Sequence, residues 1–179
     1  MLHKKNKAHG LNDKDFDIPE NTKLLIIPDA GTNDCEECNN LIERGISVIC
    51  LDHHEQNKSE VKNNAIIVNN QISNNYSNKD FCGAGVTYEF LRALDEYYWN
   101  EYAAEFIDLV SFGNISDVMD LRSMPTRYYV EAGFKNLKNP SAILTDIIKD
   151  CLSLVTIGFT GKTDVTSAKA VINILNTYI

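Results

Sequence analysis

Two short runs of mainly branched apolar residues, Lys23-Leu24-Leu25-Ile26-Ile27 and Ile46-Ser47-Val48-Ile49-Cys50-Leu51, each lead within two residues to an acid. Runs of this length are too short for a helix, and their branched side chains suit buried strands. Between them, Gly31-Thr32-Asn33-Asp34 offers helix N-cap residues, and Glu36 and Glu37 stand where a capping box needs them. The predicted helix runs to about Arg44 and stops at Gly45, the residue type favoured just past a helix end. Strand, helix and strand joined this tightly form a βαβ unit. The two strands are therefore expected to be parallel neighbours with a right-handed crossover. A third strand is predicted at Ala65-Ile66-Ile67-Val68.

In an open parallel sheet, ligands bind beyond the carboxyl ends of the strands. Asp29 follows the first run and Asp52-His53-His54 follows the second, so two strands deliver acids and imidazoles to one sheet edge. That donor mixture suits a borderline divalent ion such as Mn²⁺, or Mg²⁺ where water fills positions. Two ions sharing a bridging carboxylate would activate water and neutralise a phosphate leaving group. Adjacent histidines point different ways, so one can bind an ion while the other faces substrate, with Asp52 orienting an imidazole from behind. A histidine-bearing acidic turn can also be a solvated loop; the placement at the strand ends favours chemistry.

Downstream, Asn69–Asp80 reads as a polar loop. From Gly85 the periodicity turns helical: Val86, Phe90, Leu91 and Leu94 share one face, and Tyr102, Phe106, Leu109 and Val110 another. Helices are further predicted at Thr126–Leu137 and Ala168–Leu175, with a short one near Leu11–Phe16. The expected fold is α/β, a parallel sheet with helices on its faces followed by a mainly helical C-terminal part. A chain of 179 residues can bury such a core without disulfides. Its five cysteines are an odd, scattered set, expected as free thiols. Cys35-Glu36-Glu37-Cys38 has C-x-x-C spacing, but no second pair accompanies it, and a helix start is the plainer reading. No apolar run approaches the roughly 18 residues of a membrane span, and the polar N-terminus is no secretory signal, so a cytoplasmic protein is expected. A net charge of -8 disfavours nucleic acid as a partner, although carboxylates awaiting cations contribute to it.

Asp52-His53-His54 after an apolar strand is the motif that names the DHH phosphoesterases, and further segments resemble their RecJ branch, the single-strand-specific DNA exonucleases. Pro28-Asp29-Ala30-Gly31 looks like the D-x-G motif of that branch, and Gly83-Ala84-Gly85-Val86 like its G-A-G-V helix. Leu109 to Val118 looks like the segment whose aspartate closes the metal site, and Asn69-Asn70 like the asparagine after the DHH loop. Together these cover roughly residues 9 to 137, and their order and spacing are more specific than the three-letter motif. The resemblance implies that Asp29 bridges two metals and that His53 and Asp117 bind the second. It also implies that His54 contacts the scissile phosphate or the first metal's shell and that Asp52 supports. Gly83 and Gly85 would let backbone approach the nucleic acid, although plain helix-start geometry explains them equally well. Mn²⁺ or Mg²⁺ is the implied cofactor, and single-stranded DNA or an oligonucleotide the implied partner, alongside DNA-repair proteins.

The family opens with a strand bearing a D-x-D motif, and no such strand is evident before Lys23. The expectation is therefore an incomplete core over residues 1–125, a helical segment over 126–179, and little nuclease activity from this chain alone. Asp13, Asp15 and Asp17 lack an apolar run before them and read as a solvated cluster. Thr160-Gly161-Lys162-Thr163 lacks the spaced glycine of a phosphate loop. Trp99 with Tyr97, Tyr98 and Tyr102 could stack bases, but rings packing at a helix end is the preferred expectation. Arg122 and Arg127 could contact phosphates or simply meet solvent. Two other functions stay open: a non-catalytic DHH-fold module binding nucleic acid or protein, and a DHH enzyme acting on small nucleotides.

Overall fold

The structure, a computed structural model, describes residues 10–11, 18–58, 61–137 and 139–146. Three strands, β1 (Leu24–Pro28), β2 (Ser47–Asp52) and β3 (Ile66–Asn69), form one sheet in the order β1-β2-β3, all parallel. Helix α1 (Cys35–Glu43) connects β1 to β2, as the βαβ reading expects. Each strand sits one residue later than its apolar run. The ladder pairs Pro28 with Leu51 and Asp52 with Asn69, so it carries on into the first residues beyond the hydrophobic pattern.

The register puts Ile27, Val48 and Cys50 on one face, where they close a core with Cys38, Leu41 and Ile46. Leu24, Ile26, Ile66 and Val68 lie on the other face and are exposed. Helix α1 starts where predicted, but without a capping box. Asp34 occupies the N-cap position and makes no side-chain cap bond; its Oδ2 accepts the Leu11 amide at 2.8 Å. The helix ends at Arg44, and Gly45 follows with φ 81.

Helix α2 (Gly83–Tyr98) runs one turn past Leu94, the last residue of its predicted apolar face. A single 3₁₀ turn (Ala103–Phe106) leads into α3 (Ile107–Ser116), and α4 (Met124–Asn136) follows with Pro125 in its first turn. Phe81, Tyr88, Ala103 and Val110 form a second core, closed by Tyr129. Helices α3 and α4 cross closely at Gly133, where a Cβ would stand 2.9 Å from the Ser111 Cβ; Ser111 Oγ donates to the Val130 carbonyl at 3.0 Å. At the end of α2 the Tyr97 and Tyr98 rings pack edge-on at 4.9 Å, but neither is buried. Trp99 is 93% exposed, and Tyr97, Tyr98 and Tyr102 are exposed as well, because no described element covers that end of the helix. The helices expected at Leu11–Phe16 and Ala168–Leu175, the cluster Asp13, Asp15 and Asp17, Cys151 and the Thr160–Thr163 motif lie largely or wholly outside the described residues. Among the described residues, no helix is long and apolar enough to cross a membrane.

Candidate metal centre

The chain leaves β1 abruptly. Asp29 adopts a left-handed φ of 61, a conformation aspartate tolerates better than branched residues. Its amide donates to the Leu51 carbonyl at 2.8 Å, which fixes the acid beside the end of β2. Gly31 follows with φ 107, and Cys50 fills the space a Cβ would need there. On the neighbouring strand, Asp52 is buried and its two oxygens are fully engaged. Oδ2 accepts the Thr32 amide at 2.9 Å; Oδ1 accepts the His53 amide at 2.8 Å and lies 2.7 Å from His54 Nδ1. Burial opposes ionisation of Asp52, but the bonds from Thr32 and His54 and the backbone amides outweigh it and bring its pKa down to about 2. An ionised Asp52 can only accept, so His54 Nδ1 carries the proton and Nε2 bears the ring's lone pair while His54 is neutral.

His53 joins the other acids. Its Nε2 lies 3.2 Å from Asp29 Oδ1 and 3.7 Å from Asp117 Oδ2. The hydrogen bond to Asp29 raises the His53 pKa against the opposing effect of burial, with smaller contributions from the charges of Asp29 and Asp117. Asp117 is the C-cap of α3, where its amide donates to the Gly113 carbonyl at 3.0 Å. The ends of two strands and one helix thus converge on a single imidazole. Donor atoms of Asp29, His53 and His54 all lie within 4.8 Å of one another, the one such grouping among the described residues.

These residues fit a divalent ion. Asp29 Oδ1 is buried within a half-exposed side chain and faces His53 Nε2, so a divalent ion seated there would replace the proton that otherwise links the two. Its spacing from His53 Nε2 matches two ligands of one ion: with metal–ligand distances of about 2.1 Å, ligands at right angles stand about 3 Å apart.

The site also uses polar residues that carry no metal-binding signature. Asn69 Nδ2, at the end of β3, donates to Thr32 Oγ1 at 2.8 Å and to the His54 carbonyl at 2.9 Å. Thr32, read from sequence only as a helix-cap residue, is fully buried and links the Asp29 loop to Asp52. Asn114 accepts the Cys82 amide at 3.3 Å, which ties α3 to the start of α2. Gly83 and Gly85 are buried, and protein fills the space beside each: a Cβ at Gly83 would stand 2.8 Å from the Asp29 Cα, and one at Gly85 would meet the Phe81 ring. Of the C-x-x-C cysteines, Cys38 turns into the core, where its Sγ meets Cys50 Sγ at 3.9 Å without a disulfide. Arg122 is held by Asp120 in a forked contact, and Arg127 Nε donates to the Leu121 carbonyl at 3.0 Å.

The fold is a parallel α/β sheet that gathers carboxylates and imidazoles at its carboxyl edge, a donor set that a divalent metal would fit. Residues 2–113 match the model of the DHH family, N-terminal domain, and the chain belongs to that family. Over 123 residues it is 48% identical to the putative SPbeta prophage-derived single-strand DNA-specific exonuclease YorK of Bacillus subtilis (strain 168), covering 69% of this chain and 21% of the relative. Over 148 residues it is 28% identical to the single-stranded-DNA-specific exonuclease RecJ of Thermus thermophilus, covering 81% of this chain and 21% of that protein. The chain therefore spans about a fifth of the length of these curated relatives. The crystal structure of exonuclease RecJ bound to manganese superposes with a TM-score of 0.61 at 27% identity, covering 84% of this chain and 35% of that one. The crystal structure of Thermus thermophilus RecJ in complex with Mn²⁺ shares the fold, with a TM-score of 0.62 at 22% identity over 87% of this chain and 27% of that one.

Proposed function

We propose that this chain is the metal-binding part of a phosphodiesterase that removes nucleotides from single-stranded DNA, with Mn²⁺ as its preferred ion. The convergence of Asp29 Oδ1, at 3.2 Å, and Asp117 Oδ2, at 3.7 Å, on His53 Nε2 carries this reading. The names of the relatives YorK and RecJ support single-stranded DNA as substrate, and the RecJ structures support manganese. A bound divalent ion supplies water activation and neutralises charge on the phosphate.

The protein groups have separate tasks. Asp29, His53 and Asp117 hold the ion, and imidazole in the set favours Mn²⁺ over the harder Mg²⁺. Asp52 holds the Nδ1 proton of His54 and so directs Nε2 to the ion's shell or to a phosphate oxygen. The start of α2 at Gly83 packs directly against Asp29, and the Gly85 amide donates to Cys82 Sγ, so this helix end positions the acid. The donors grouped among the described residues would hold one ion, and two-ion hydrolysis needs a further set of ligands.

The test is single-turnover cleavage of labelled single-stranded DNA with Mn²⁺ and excess protein. The expected result is slow nucleotide release, faster from single strands than from duplex and lost in Asp29→Ala. Release that is unchanged in Asp29→Ala, or that is as fast from duplex as from single strands, contradicts the proposal.

A further inference from the structure

Away from the metal centre, the second half of α2 is left uncovered by the described residues. Every residue from Leu91 to Tyr98 except Asp95 is exposed, and Trp99, Tyr97, Tyr98 and Tyr102 extend that surface. Leu91, Leu94, Tyr98, Tyr102 and Phe106 line an apolar groove of about 250 Å³ there. Trp99 follows Tyr98 in the left-handed conformation (φ 58, ψ 44), unusual for a bulky residue, and ends the helix. Exposed aromatic and leucine surface of this kind marks an interaction site, and Trp and Tyr are the residues that most often anchor one.

Charge decides the partner. From Glu89 to Glu105 the chain carries five carboxylates, Glu89, Asp95, Glu96, Glu101 and Glu105, against the single cation Arg92. Arg92 is itself paired with Glu89 at 3.0 Å. Glu89 is taken up by Tyr129 and Arg92. Glu96, Glu101 and Glu105, however, are exposed and next in sequence to the groove-lining Asp95, Asn100, Tyr102 and Phe106. This acidic rim repels phosphates, so the aromatic surface is a poor platform for a single strand. A symmetric contact between two copies sets the same acids against themselves. The groove is also smaller than the roughly 300–1,000 Å³ of small-molecule sites and has room for one or two apolar side chains.

We infer that this groove docks a polypeptide segment whose apolar side chains anchor in it and whose lysines or arginines meet the acidic rim. Leucines one helical turn apart on a short basic helix fit that description. The interaction is independent of the metal centre.

Trp99 is the chain's only tryptophan, so its emission reports on this surface without labelling. The full chain is titrated with a helical peptide of roughly 15 residues that carries leucines at i, i+4 and i+7 among lysines. A counterpart with glutamate in place of lysine and an oligothymidylate are run alongside. The expected result is a saturable blue shift with the lysine peptide alone, confirmed by calorimetry. Affinity should fall at least tenfold in Leu94→Ser/Tyr98→Ser and in Glu101→Gln/Glu105→Gln. All four residues are exposed, and circular dichroism checks that the variants stay folded. Equal binding of both peptides, binding of neither, or lysine-peptide affinity unchanged in the variants overturns the proposal. Quenching of Trp99 by oligothymidylate would make the surface a nucleic-acid platform. A blue shift that grows with protein concentration alone would assign it to a second copy of the chain.

Discussion

His54 Nδ1 lies 2.7 Å from Asp52 Oδ1, the shortest of the contacts that bind the DHH turn to itself. The carboxylate fixes the imidazole's proton, and through the Thr32 amide it also holds the loop that follows Asp29. Replacing Asp52 by Asn turns one acceptor into a donor facing N–H groups. Losing an orienting group of this kind typically costs about 10–100-fold in metal affinity. Asp52→Asn is expected to weaken Mn²⁺ binding in that range by calorimetry, with the protein still folded by circular dichroism. An unchanged dissociation constant would show that Asp52 does not support the site.

Gly83 opens α2 directly against Asp29. Alanine in a helix interior is usually better than glycine by up to about 1 kcal/mol, but here its Cβ would stand 2.8 Å from the Asp29 Cα. Asp29 cannot yield easily, because its amide is held by the Leu51 carbonyl. The collision therefore outweighs the propensity gain, and overpacking of this kind costs roughly 1–3 kcal/mol. Gly83→Ala is expected to lower the Tm and to weaken Mn²⁺ binding at least tenfold. A variant with wild-type Tm and affinity would contradict the close approach.

Tyr129 ties α4 to α2. Its hydroxyl donates to Glu89 Oε1, and Arg92 Nη1 donates to it at 3.1 Å. Burial first, and then the bond to Glu89, raises the Tyr129 pKa well above the usual value. A raised pKa means the folded state prefers the protonated phenol. Its contribution is therefore complete below the unfolded value of about 10 and is lost as pH rises towards the folded one. Tyr129→Phe should cost about 1–2 kcal/mol near pH 7 in urea unfolding, and the wild-type advantage should narrow above about pH 10. A gap that is constant across that range would place the effect elsewhere.

The strands were legible because their apolar runs are short and branched, yet each was read one residue early. Pro28, Asp52 and Asn69 break the hydrophobic pattern but still join the ladder, and that is where the site begins. Asp29 and His53 could be named because acid and imidazole at strand ends are chemically distinctive, whereas Asp117, at the end of α3, was named only through the family resemblance. Thr32 and Asn114 carry no such signature; their importance lies in buried hydrogen bonds between segments far apart in sequence. Asp34 did not cap its own helix because the Leu11 amide takes its carboxylate, a tertiary contact that local pattern cannot reveal. The exposed rings around Trp99 escaped for a related reason: periodicity shows that a helix has an apolar face, not whether anything covers it.

The central claim is that Asp29 and His53 share one divalent ion, and calorimetric titration of the metal-free protein with Mn²⁺ tests it most directly. The account predicts saturable binding that is tighter than for Mg²⁺ and weakened at least a hundredfold in both Asp29→Asn and His53→Ala. Asp117→Asn should have a smaller effect, since Asp117 lies farther from His53 Nε2, at 3.7 Å against 3.2 Å. Absence of Mn²⁺ binding by the wild-type protein, or equal affinity in the wild type and His53→Ala, would contradict it.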